Sequence, residues 1–219
     1  QEVYKMTTYK QIARKNLADQ MIKKLEKRNM EGYYCETKEG ALKKAISFLE
    51  PGCSISWGGS ESLNQMGFMD YMKEHKDEYQ ILDRFAGETA EEKREIYGKA
   101  TMADYYYMSA NAITKDGVIV NMDGSGNRVA SLCHGPAHVV LVIGMNKVAF
   151  NIEDAVDRIH LIAGPTNTIR QNMDTPCSKT GSCADCLSKD CICCNLVITR
   201  YNRQDGRIKV ILVGDDLGF

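Results

Sequence analysis

Between His138 and Ile143 the chain reads His-Val-Val-Leu-Val-Ile, an almost unbroken apolar run. A strand with one wet face alternates apolar and polar residues, so a run of this kind belongs to a strand covered on both faces, as in the centre of a parallel sheet. Parallel neighbours need crossover connections, and the rest of the chain supplies them. From Tyr4 to Asn29, Ile12, Leu17, Met21, Ile22 and Leu25 recur at helical spacing among charged residues, the pattern of an amphipathic helix. Tyr33-Tyr34-Cys35 reads as a short strand, Thr37 as the N-cap of a helix that Pro51-Gly52 ends, and Cys53 to Trp57 as the next strand. Helical Glu61–Met66, Asp70–Tyr79 and Glu88–Ala100 then alternate with strands at Ile81-Leu82, Tyr105–Met108 and Val118–Val120. Asn151 to Ala163 reads as a helix ending at Gly164-Pro165. Leu196–Tyr201 and Ile208–Val213 straddle Gln204-Asp205-Gly206-Arg207, a hairpin signal. The expected architecture is α/β: a three-layer, Rossmann-like, mostly parallel sheet with a C-terminal cysteine-rich loop and hairpin.

A length of 219 residues suits one hydrophobic core. Residues 1–36 are expected to pack as a helix and strand on a core formed by residues 37–219. The 28 basic and 29 acidic residues leave a net charge of -1 without a one-signed block, so a nucleic-acid partner is not expected. No apolar stretch reaches the roughly 20 residues that span a bilayer, and Gln1 to Lys10 lacks the apolar core of a signal peptide. A cytoplasmic location without a membrane span is the default expectation.

Two loop systems carry the binding chemistry. Ser56-Trp57-Gly58-Gly59-Ser60-Glu61-Ser62 sits where a strand hands over to a helix, and its small residues let backbone N–H groups approach a phosphate or carboxylate. It ends in no Gly-Lys-Ser/Thr and contains no G-x-G-x-x-G, so it matches neither named nucleotide motif, and a glycine turn with a serine N-cap is the alternative reading. The second system runs from Ser109 to Arg128. Turn chemistry accounts for Asp116-Gly117 and Asp123-Gly124, but less well for Asn111, Thr114, Asn121, Asn127 and Arg128. Those side-chain donors, with one guanidinium, suit a small anion at the carboxyl ends of the strands. The expected ligand-binding set is therefore Gly58, Gly59, Ser60, Asn111, Thr114, Asn121, Asn127 and Arg128. No acid–base pair or nucleophile–base constellation stands out.

Six of nine cysteines fall within eighteen residues, as Cys177-x5-Cys183-x2-Cys186-x4-Cys191-x-Cys193-Cys194. A C-x2-C pair flanked by further cysteines supplies the thiolates that zinc or an iron–sulfur cluster needs; structural thiols and a redox disulfide set are the alternatives. Cys35, Cys53 and Cys133 lie among apolar residues and read as core thiols.

Together these segments resemble the LUD domain family, named for lactate utilisation and also described as LutC/YkgG-like. The resemblance is carried by Trp57-Gly58-Gly59-Ser60-Glu61-Ser62, by Asn111-Ala112-Ile113-Thr114-x2-Gly117, and by Asn121-x-Asp123-Gly124-x-Gly126-Asn127-Arg128-Val129-Ala130. Gly135-Pro136, Gly144-Met145-Asn146-Lys147, Pro165-x-Asn167-x2-Arg170 and Gly206 to Gly214 extend it over nearly the whole chain from Thr37. The resemblance implies a fold related to the sugar-phosphate isomerase and CoA-transferase group. It also implies a part in bacterial oxidation of lactate or a related 2-hydroxy acid to pyruvate, with a small carboxylate or phosphate ligand and iron–sulfur oxidoreductase subunits as partners. Some members carry a cysteine pattern similar to Cys177, Cys183, Cys186 and Cys193, which makes these four the implied ligands of an iron–sulfur cluster or zinc. In that pattern an Asn follows the fourth cysteine; here Cys194 takes its place and Cys191 is additional, so either is an alternative fourth ligand. Other readings are a non-catalytic ligand-binding or regulatory domain and a sugar-phosphate or acyl-CoA enzyme of the same fold.

Overall fold

Residues 8–83 and 86–219 are described by the computed structural model; the predicted helical residues Tyr4 to Thr7 lie outside them. In chain order the strands are β1 (Glu31–Cys35), β2 (Ser54–Trp57), β3 (Gln80–Ile81), β4 (Tyr105–Met108) and β5 (Ala112–Thr114), then β6 (Ile119–Asp123), β7 (His138–Gly144), β8 (Val148–Ala149), β9 (Asn195–Thr199) and β10 (Ile208–Val213). The α-helices are α1 (Tyr9–Lys27), α2 (Lys38–Ile46), α3 (Glu61–Gln65), α4 (Phe68–Glu74) and α5 (Ala90–Ala100), then α6 (Asn127–Cys133), α7 (Ile152–Arg158), α8 (Gly164–Arg170) and α9 (Pro176–Thr180).

The main sheet has the order β1-β10-β7-β4-β2-β3, and every pairing in it is parallel. Side chains alternate between faces along a strand, so the apolar run of β7 must feed two cores. It does. Val139, Leu141 and Ile143 join Val210 and Leu212 of β10 on one face, under Met21 and Leu25 of α1 and Leu132 of α6. Val140 and Val142 join Ile211 and Val213 on the other, under Ala41 and Ala45 of α2, Leu63 of α3, and Phe68 and Met72 of α4. A second, mixed sheet of order β8-β5-β6-β9 lies over the first face, where Ile113 and Ile119 enter the same core. Its opposite side, through Ala112, Val120 and Ala149, packs on Ala155 of α7 and Ile159. Among the described residues no helix is long and apolar enough to cross a membrane.

Two expectations are corrected. The segments around Gln204–Arg207 do not form a hairpin: β9 pairs antiparallel with β6, whereas β10 lies between β1 and β7 in the main sheet. Both edges of β10 are already filled, so β9 has no place beside it. The intervening loop is held by the buried Asn202, which donates to Asn29 O, and by Arg207, which donates to the carbonyls of Ser131, Leu132 and Pro136. The helix from Asn151 also does not stop at Gly164-Pro165. It widens into a π turn over Ile159–Ala163 and continues as α8 to Arg170. Proline lacks an N–H and crowds the carbonyl one α-turn before it; bonding to the fifth residue, as Gly164 N–H does to Ile159 O, relieves both demands.

Candidate functional site

Because β2, β4, β7 and β10 are parallel, the segments that leave their carboxyl ends gather at one edge of the sheet. They enclose a cavity of about 530 Å3 with Gly59, Ser60, Ser109, Asn111, Asn127 and Lys147 among its lining residues. The cysteine-rich segment supplies a further wall through Lys189 to Ile192 and Cys194, and Gly218 and Phe219 close one side. Across the opening, Arg170 stands 4.0 Å from Glu61.

Of the sequence-predicted residues, Gly59, Ser60, Asn111, Asn127 and Arg128 meet at this cavity. Ser60 caps α3, its hydroxyl accepting from Leu63 N–H. Gly58 lies behind the wall: its N–H continues the sheet to Tyr107 O, and a Cβ there would stand 3.1 Å from the Arg128 side chain. Asn121 is fully buried beneath the guanidinium, and among the described residues its Nδ2 has no hydrogen-bond partner. Thr114 is elsewhere. Its hydroxyl accepts from Val118 N–H at 3.1 Å inside the β5–β6 turn, and it borders a different depression with Arg28 and Glu153.

Arg128 has a structural use for each of its N–H groups. Nε donates to Asp123, Nη1 to Ser109 O and Asn121 Oδ1, and Nη2 to Asn111 Oδ1 and Met122 O, all within 3.2 Å. A guanidinium has five N–H donors, and these five acceptors take them. The residue therefore ties the end of β4 to β6 rather than presenting a fork to an anion. Asp123, which also accepts from Gly126 N–H, neutralises it.

Besides Arg170 and Lys189 at its rim, the cavity is lined by a buried cation, Lys147. Gly144 lets the chain fold back after β7: a Cβ there would lie 2.3 Å from Asn146 Oδ1 and 2.7 Å from Leu217 N. Asn146 then holds Leu217 N–H and Gly218 O, and the turn Met145–Lys147 places the lysine below that tail. Its Nζ donates to Ser62 Oγ at 2.9 Å and Ser109 Oγ at 3.1 Å, and the side chain is 4% exposed. Among the described residues no carboxylate lies within ion-pair distance of it. Burial, reinforced by the positive charges of Arg158 and Arg128, pushes its pKa down to about 7. Arg158 is itself half buried, donates to the carbonyls of Asn111 and Asn146, and has a lowered pKa from desolvation. Sequence reasoning had Ser62 and Ser109 within the two loop systems and Lys147 in a resemblance-bearing segment but left all three out of the ligand-binding set, and it gave Arg158 no role. The available signal was a lysine just past the buried central strand, between Met145 and the apolar Val148-Ala149-Phe150.

The cysteine segment is docked by Cys183 N–H on His160 O and by Cys194 N–H and the Asn195 amide on Asp123 O. Cys177 is buried against the hydroxyls of Thr168 and Thr175. Burial pushes the Cys193 thiol up to about 12, and the neighbouring Cys191, Cys183, Cys177 and Cys186 push the same way. The donors are chemically suited to a soft metal, but among the described residues no three His, Cys, Asp or Glu side chains are grouped to hold an ion. Cys133, expected in the core, is exposed at the last turn of α6.

A family model for the LUD domain matches residues 18–213. Among solved structures, a DUF162 family protein from Deinococcus radiodurans is 11% identical, with 91% of this chain and 98% of that chain covered and a TM-score of 0.49. eIF2B delta from Chaetomium thermophilum is 15% identical over 62% of this chain and 52% of that chain, with a TM-score of 0.35. No curated protein matches. The domain match runs from within α1 to the last residue of β10 and takes in every strand of both sheets, and the chain therefore belongs to the LUD domain family.

Proposed function

We propose that this chain is a component of bacterial lactate or related 2-hydroxy-acid utilisation, and that its strand-end cavity binds a small carboxylate or phosphate. The family's association with lactate utilisation supports the first half. The second half is carried by Lys147, an ammonium held in a cavity wall by two hydroxyls with no carboxylate beside it among the described residues. Burying an unpaired charge is costly, and an anionic ligand offsets that cost. Arg128 serves by fixing the strand ends, and Arg158 by adding positive field behind Asn111. With a Lys147 pKa of about 7, the ammonium form prevails on the acid side, so an anion should bind more tightly there than on the alkaline side.

Calorimetry on anaerobically purified protein with L-lactate, pyruvate and inorganic phosphate tests the reading. At least one should bind, with affinity falling as pH rises through about 7 and falling at least about tenfold in Lys147→Met. Binding of none of them, together with unchanged growth on lactate after deletion of the gene, overturns it. A cavity of about 530 Å3 has more room than a three-carbon acid fills, which favours as second reading a sugar-phosphate or acyl-CoA ligand, bound with or without turnover. We also propose, on the family pattern and the donor chemistry, that Cys177, Cys183, Cys186 and Cys193 take up an iron–sulfur cluster or zinc, with Cys191 or Cys194 as alternative fourth ligand. Iron–sulfur oxidoreductase subunits are the proposed partners.

A further inference from the structure

Ser62, Ser109 and Lys147 form a closed triangle of polar atoms in the cavity wall. The sides are 2.9 Å from Nζ to Ser62 Oγ, 3.1 Å from Nζ to Ser109 Oγ, and 3.3 Å between the two hydroxyl oxygens. The three residues come from α3, from the loop after β4 and from the turn after β7. Nothing in the small-anion reading calls for two serines on one lysine.

An amine acts as a base only when its lone pair is free. Here no carboxylate among the described residues holds Lys147 in the charged form, and burial with two nearby guanidinium groups disfavours that form, leaving a pKa of about 7. A neutral amine has two hydrogens and one lone pair. It can donate to Ser62 Oγ while accepting from the Ser109 hydroxyl, whose hydrogen is free to rotate. This is the arrangement that activates a serine: a nucleophile within hydrogen-bond reach of a base, and the base oriented by a third group.

The two serines differ. Ser62 is 1% exposed, lies inside α3 and is also 3.3 Å from Leu217 O. Ser109 is 6% exposed, follows β4 directly, and has its carbonyl pinned by Arg128 at 3.0 Å. Ser109 is thus the less buried of the two and takes the nucleophile's place, with Ser62 as the positioning group.

We propose that Ser109 and Lys147 form a nucleophile–base pair that accepts acyl groups from ester or thioester substrates carrying a negative charge. The Ser109 Oγ–carbonyl carbon bond forms and the carbon–oxygen or carbon–sulfur bond of the leaving group breaks. The serine proton passes to Lys147 Nζ and from there to the departing alkoxide or thiolate. Water then attacks the acyl-serine, giving its proton to Lys147, and the released carboxylic acid leaves Ser109 protonated again. No oxidant or reductant is needed. The positive charge of Arg158, which has no carboxylate partner among the described residues, favours both an anionic substrate and the negative charge that develops on the acyl oxygen.

This activity goes beyond anion binding and does not require that lactate bind. The full chain is treated with a fluorophosphonate, which phosphonylates activated serines, and with p-nitrophenyl acetate as a chromogenic ester. The expected result is a label on the Ser109 peptide, and ester cleavage that rises with pH through about 7 as Lys147 loses its proton. Lys147→Arg keeps a cation but cannot accept a proton, and should lower both rates by about 100-fold or more. An unlabelled Ser109 in the wild-type chain overturns the proposal without any variant having to fold. So does a Lys147→Arg chain that labels at the wild-type rate.

Discussion

Arg128 and Lys147 border the same cavity and use their charge in opposite ways. Arg128 is surrounded by five acceptors, one of them the Asp123 carboxylate, so its charge is consumed in joining the two sheets. Lys147 has only hydroxyl acceptors, and its burial is a standing cost while it is charged. Its pKa falls from an ordinary 10.5 to about 7 in the folded chain. Between those values the unfolded chain binds a proton that the folded chain lacks, so this residue makes stability rise with pH across that window. Below about pH 7 both states hold the proton and the penalty is present in full. Lys147→Met, which fills similar space without charge, should therefore melt at higher temperature than wild type on the acid side, and the gap should close as pH is raised towards 10.5. Thermal melts of the two proteins over that range check it, and a gap that does not change with pH would sink the assignment. The roles of the two residues were legible to different degrees. The Asn-Arg segment advertised a polar site, but a sequence shows a guanidinium without its acceptors, which come here from Ser109, Asn111 and β6. Burial of a lysine is a property of the fold, and nothing in Gly144-Met145-Asn146-Lys147 states it.

At the scale of elements, what could be read locally was read correctly where the local signal had one structural meaning. The His138–Ile143 run admits only a doubly covered strand, and β7 is that strand. Thr37 was legible as a cap because its hydroxyl serves the helix it precedes. Asp205-Gly206 has two meanings: the same turn opens a hairpin or a crossing between sheets, and the choice depended on β1 and β7 having already filled the edges of β10. Gly164-Pro165 likewise ends an α-helix but is accepted by a π turn. The cysteine segment belongs to this scale because it is docked as a unit against β6 and the π turn. Its thiols act together on Cys193 without being grouped for an ion among the described residues, so the proposed metal uptake requires the loop to draw inward. Thiolates bind metal and thiols do not, which makes an aerobic preparation a poor witness. Anaerobic protein should carry iron or zinc, and Cys183→Ser should lose it. Elemental analysis and an absorption spectrum distinguish the outcomes; metal content unchanged by Cys183→Ser removes the ligand set and leaves structural or redox thiols.

For the whole molecule, the cavity is the place where the main sheet, the small sheet and the cysteine segment meet. The main sheet contributes the strand-end loops with Ser60 and Ser109, the small sheet contributes Met122 and Asp123 through the Arg128 knot, and the cysteine segment contributes Lys189 to Ile192 and Cys194. The two sheets share a core through Ile113 and Ile119, the cysteine segment has its own docking contacts, and polar groups around the cavity bring all three together. A ligand that fills the cavity stabilises the folded state over the unfolded one, and it does so most where it bridges bodies that can open separately. Hydrogen exchange read by mass spectrometry with L-lactate or inorganic phosphate should then show added protection in two stretches far apart in sequence, 123–128 and 189–194. The β5–β6 turn at Thr114, which lies outside the cavity, should exchange as before. Strands β7 and β10 are buried along their length, and they should be the slowest to exchange with or without ligand, because their opening exposes both cores at once. Protection confined to the turn at Thr114, or binding that leaves 123–128 and 189–194 unchanged, would show that the ligand sits elsewhere and that the strand-end cavity is not the site.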